Sequence, residues 1–112
     1  MLFSDKFEHR YDYNVVSCGI SDESLKNLKL PPLLKRLSLV DNNISDAGAA
    51  IIREGCPPRM EELVLNLNFI KDIAMVCSLF DSLNIKIISD LQKYTSTQIS
   101  ERIRADFIYL ML

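Results

Sequence analysis

The only histidine, His9, stands between Glu8 and Arg10 near the start of a 112-residue chain, and a neutral imidazole there could act as a general base. A dyad built on it would need a nucleophile brought to the same edge, and the residue pattern places none there. Cys18, Cys56 and Cys77 are three in number and widely spaced, which fits neither a disulfide framework nor a CxxC metal site. Reduced thiols and no metal are expected. Adjacent acids such as Glu61-Glu62 point to opposite faces in an extended segment, so they do not form a catalytic pair. The chain carries no phosphate loop, no GxSxG and no HExxH, and its three glycines are isolated. No catalytic residue, no cofactor and no enzymatic activity are expected.

The elements that would position these residues are more informative. Leu34-Lys35-Arg36-Leu37-Ser38-Leu39-Val40-Asp41-Asn42-Asn43-Ile44 fits L-x-x-L-x-L-x-x-N-x-I at every anchor, and Met60 to Ile70 fits it again with Met60 in the first slot. That is the signature of a leucine-rich repeat, a short parallel strand plus a return segment that buries its apolar face only by stacking on neighbours. Stepping back 24 from Leu37 reaches Tyr13, and Tyr13 to Ile20 then aligns with Leu37 to Ile44, with Cys18 in the Asn slot. A step of 22 from Leu63 and Leu65 reaches Ile85 and Ile87, which makes residues 84–89 a fourth, degenerate strand with Asp90 in the Asn slot. An acid follows two residues after each repeat isoleucine, at Asp22, Asp46 and Asp72, where it can cap a return helix. Helices are expected over 22–28, 46–54 and 72–83.

The fold class that follows is α/β: a short leucine-rich-repeat solenoid of about four parallel strands with convex helices over residues 1–92. A C-terminal helix over 93–112, with apolar residues at helical spacing, would cap it or dock on a partner. Asn42 and Asn68 are expected to be structural, because their amides can satisfy backbone groups buried between turns. The wording at Asn42 to Ala49, N-x-I-S-D-A-G-A, resembles the ribonuclease-inhibitor class, whose relatives include Ran GTPase-activating proteins and NOD-like receptors. The resemblance covers about Tyr11 to Ile88. It implies a protein-binding scaffold, with RNA contact or GTPase regulation as lesser implications.

Strand residues between the leucines alternate to the outer side of the sheet, which the repeat architecture makes concave. With the 22-residue last step, Val16, Val40 and Ile88 share one row there, with Val64 and Leu67 beside them and Arg36 among the flanking charges. A protein partner is expected on this face and on Tyr109, Leu110 and Leu112 of the apolar end, which also offers a route to self-association. The alternative is a ribosome- or spliceosome-associated subunit contacting RNA through Lys26, Lys29, Lys35 and Arg36.

Bulk properties narrow the class further. A net charge of -2 lacks the basic field that nonspecific nucleic-acid binding needs. The acids near Met1 do not resemble a secretory or mitochondrial leader, and no apolar run approaches the ~18 residues of a membrane span. An intracellular protein, cytoplasmic or nuclear, without a membrane role is expected.

Overall fold

Each of four short segments of alternating apolar residues gives one three-residue strand. In the computed structural model, which describes residues 11–93, β1 (Asp12–Asn14), β2 (Arg36–Ser38), β3 (Glu62–Val64) and β4 (Lys86–Ile88) form a single parallel sheet in the order β1-β2-β3-β4. Helices α1 (Asp22–Leu25), α2 (Asp46–Glu54) and α3 (Ile73–Phe80) lie between consecutive strands, and a 3-10 turn, Asp81–Leu83, extends α3. The architecture is thus α/β. Among the described residues no helix is long and apolar enough to cross a membrane. The expected C-terminal helix and the whole of 94–112 lie outside the described residues, as does His9.

The inner strand positions supply the core. Leu34, Leu37, Leu39, Leu63 and Leu65 are fully buried and belong to the same cluster as Leu25, Ala49, Ile52, Val76 and Phe80 from the three helices. Pairing runs Tyr13 to Leu37 and Leu37 to Leu63, as the 24- and 26-residue steps require. The last step differs from expectation: Leu63 pairs with Ile87, a step of 24, so Ile85 precedes the strand. A two-residue slip leaves every side chain on its original face, so the apolar pattern alone could not separate Ile85 from Ile87. Ile88 therefore stands beside Val64, not in the row of Val16 and Val40.

Two helices also depart from expectation. Only α2 has its expected bounds. After Leu25 the bonds from Lys26 N to Glu23 O, Asn27 N to Ser24 O and Leu28 N to Leu25 O close three-residue turns, and Pro31-Pro32 follow, so α1 cannot run on as an α-helix. α3 tightens into the 3-10 turn and stops at Asn84, whose left-handed backbone, φ 56°, ends it. The caps are Ser21, Ser45 and Asp72, so only the third expected aspartate acts as a cap.

Asp22 and Asp46 instead tie neighbouring units together. The Asp22 carboxylate accepts the Ser45 backbone N–H at 2.9 Å and the Ser45 hydroxyl, while Asp46 accepts the N–H groups of Lys71 at 2.8 Å and Asp72 at 3.2 Å. This arrangement explains Gly48. A Cβ there would meet Asp22 Oδ1 at 2.1 Å and Ile44 Cγ2 at 2.7 Å, so α2 can approach α1 only without a side chain at that position.

Candidate protein-binding face

The turns that follow the strands fix the geometry of the sheet's outer face. Asn42 Oδ1 accepts the backbone N–H groups of Cys18 and Ile20 at 3.1 and 3.0 Å, and its Nδ2 donates to Val15 O and Leu39 O at 2.8 and 3.0 Å. Asn68 repeats the pattern one unit later, accepting from Ile44 N at 3.0 Å and donating to Leu39 O at 2.8 Å. The next rung is Gln92. Its Oε1 accepts from Ile70 N at 2.9 Å and its Nε2 donates to Leu65 O at 2.8 Å. Asp90, expected in the Asn slot, is exposed and could not donate as an ionised carboxylate, whereas an amide both accepts and donates. Cys18, at the start of this row, is exposed and its Sγ donates to Val16 O at 3.3 Å.

Each outer turn bends at a residue with positive φ: Ser17 at 54°, Asp41 at 55° and Leu67 at 58°. A left-handed backbone is unfavourable for residues other than glycine, so these bends are held by the amides packed beneath them. Leu67 is half-buried and stands outside the core cluster.

With the corrected register the outer rows read Asp12, Arg36, Glu62 and Lys86; then Asn14, Ser38, Val64 and Ile88; then Val16, Val40, Asn66 and Asp90. By the same count Ser17, Asp41, Leu67 and Leu91 follow, though Leu91 does not share the positive φ of the other three and its carbonyl accepts the Leu67 N–H. The expected binding residues therefore do not form one apolar row. Val16 is 43% exposed and Val40 half-buried, while Val64, in the neighbouring row, is only 6% exposed and Ile88 is half-buried. The exposed apolar surface runs diagonally instead, from Val16 and Val40 to Leu67 and on to Leu91, which is 61% exposed. Leu91 was missed because the 22-residue step hid its correspondence with Leu67. Tyr109, Leu110 and Leu112 lie outside the described residues.

Charges border this diagonal on both sides. Arg36 pairs with Glu62 and, at 3.4 Å, with Asp12, and the Glu62 hydrogen bond raises the guanidinium pKa above its already high ordinary value. On the other side Lys93 folds back across Phe69, its ammonium 4.9 Å from the ring centre, to reach Asp41 at 3.4 Å and Asn43 Oδ1 at 3.3 Å. Asp41 also accepts the Ser17 hydroxyl at 2.5 Å, and that bond, with Lys93 second, holds its carboxyl below the usual range. A cavity of about 350 Å³ opens beside Lys93, lined by Phe69, Ile73, Asp90 and Gln92 among others.

The four residues of the RNA alternative differ in their surroundings. Lys26 pairs with Glu23 at 2.9 Å, Arg36 is held by two carboxylates, and Lys35 lies 5.6 Å from the centre of the Tyr11 ring. Lys29 is exposed. Cys56 is half-buried, and burial pushes its thiol pKa up, away from nucleophilic use. Cys77 is half-buried on α3. Among the described residues no three His, Cys, Asp or Glu side chains are placed to hold a metal ion. The chain matches no protein-family model, no curated protein and no solved structure.

Proposed function

We propose that the chain is a short leucine-rich-repeat solenoid that serves as a non-catalytic adaptor or structural subunit, binding a protein partner through the outer face of its sheet. The observation that carries this reading is the diagonal of exposed and half-exposed apolar side chains, Val16, Val40, Leu67 and Leu91, on a sheet braced by amide rungs. Aliphatic groups on a preformed surface cost little to order on binding, and their burial gives association that salt does not weaken. Four strands at ~4.8 Å spacing present only a few hundred square ångströms, well below the ~800 Å² per partner of a standard interface. The adaptor therefore works inside a larger assembly, where further contacts add to this one.

The test is a pull-down of the full chain from its native lysate in low and high salt, with and without RNase, beside a Val16→Glu/Leu91→Glu variant. Both residues are exposed, so the variant keeps the fold. Partners that survive salt and RNase and are lost in the variant support the adaptor reading. Partners lost on RNase treatment would replace it with a ribonucleoprotein role for Lys26, Lys29, Lys35 and Arg36.

A further inference from the structure

We infer that the strand-start edge of the sheet is a self-complementary surface through which two copies of this chain pair about a two-fold axis. The residues that open the four strands are Asp12, Arg36, Glu62 and Lys86, directly paired in register. The residues just before them are Tyr11, Lys35, Glu61 and Ile85, kept in line by backbone bonds from Lys35 N to Tyr11 O, Glu61 N to Lys35 O and Lys86 N to Glu61 O. Reading along the edge, the columns carry one negative charge, two positive, two negative and one positive. That order is antisymmetric about its midpoint.

A two-fold axis perpendicular to such a row brings its reversed copy against it. Asp12 then faces Lys86 of the second copy, Lys35 and Arg36 face Glu61 and Glu62, and every column meets the opposite sign. Isologous pairing of this kind is the commonest route to a soluble dimer. The charges left over within one copy point the same way. Lys35, Glu61 and Lys86 are exposed and make no ion pair among the described residues, while Asp12 makes a single contact to Arg36 at 3.4 Å. Across the axis these groups complement one another in charge: Lys35 with Glu61, and Lys86 with Asp12.

The edge spans three strand spacings, about 14 Å, so it is a small contact. Exposed ion pairs each contribute up to about fivefold in Kd, which makes the dimer weak, reversible and salt-sensitive. This inference is separate from the adaptor reading, which uses the apolar diagonal, although both faces adjoin Arg36.

Sedimentation equilibrium of the purified full chain tests it with no other molecule present, so a failed pull-down and a failed dimer are distinct results. The wild type is expected to self-associate at about 0.05 M salt and to weaken at about 0.5 M, where screening shortens the range of exposed charges. Lys35→Glu, an exposed change that spares the Arg36 pairs, sets like charges opposite each other twice. It is expected to weaken the dimer about tenfold. Lys35→Glu/Glu61→Lys restores opposition and is expected to recover dimerisation. A wild type that stays monomeric at low salt overturns the inference. So does a Lys35→Glu chain that associates like the wild type, or a double variant that fails to recover.

Discussion

Asn68 shows at the scale of one side chain how the molecule holds its turns. It is fully buried and accepts from Ile44 N while donating to Leu39 O and Leu65 O, so its loss strands groups in two neighbouring units. Asn68→Ala is expected to destabilise by about 1 to 3 kcal/mol in urea unfolding followed by circular dichroism, the usual cost of leaving buried polar groups unpaired. Gln92→Ala should cost less, because Gln92 is half-buried and water can replace part of its bonding. Equal losses would mean that the terminal rung is as shielded as the central one. Gly48 offers a second residue-scale test. Gly48→Ala drives a Cβ into Asp22 Oδ1, and the cost should fall in an Asp22→Ala background, giving a coupling on the order of 0.5 to 3 kcal/mol between the two sites. Additive losses would show that the contact with Ile44 alone sets the need for glycine. Neither the Asp22 to Ser45 tie nor the need for Gly48 was legible in the chain, since capping and bridging demand the same aspartate in the same place.

At the scale of elements, what could be read and what could not divide along one line. The strands β1 to β3 and helix α2 follow from leucine spacing and from Ser45 and Gly55 at the helix ends. The last step fails because Ile85, Ile87 and Ile88 offer two apolar solutions of the same parity. Only amide chemistry at Gln92 decides between them. The outer turns add a pH effect of their own. Asp41 has a folded pKa below its unfolded value of about 3.9, through the Ser17 hydroxyl first and Lys93 second, so it contributes stability that is present above pH 4 and lost as pH falls through the folded pKa. Asp41→Asn should therefore lower the melting temperature near neutral pH, and the difference from wild type should shrink as acid protonates Asp41. Lys93→Met should move the Asp41 titration, followed by side-chain carboxyl NMR, back up toward ordinary values. A titration that stays where it was would leave Ser17 as the whole cause.

At the scale of the whole molecule, a sheet whose strands pair only with their neighbours in sequence need not open all at once. Stability in such an arrangement is roughly a sum of unit and nearest-neighbour terms, so the ends open more easily than the middle. The Leu39 N–H, bonded to Val64 O between the two inner strands, should exchange with solvent only on global unfolding. The Lys86 N–H, bonded to Glu61 O where β4 begins, should exchange faster through opening of the last unit. Matching protection at both amides would show instead that the amide rungs and the Asp46 ties weld the sheet into one cooperative block. The distinction bears directly on binding. Among the described residues Leu91 is the most exposed of the large apolar side chains, and it sits at the end expected to open first. A partner covering Leu91 would hold that unit closed, so binding should slow exchange at Lys86 more than at Leu39. Slowing confined to neither amide would move the contact away from Leu91 and toward the Val16 end of the diagonal.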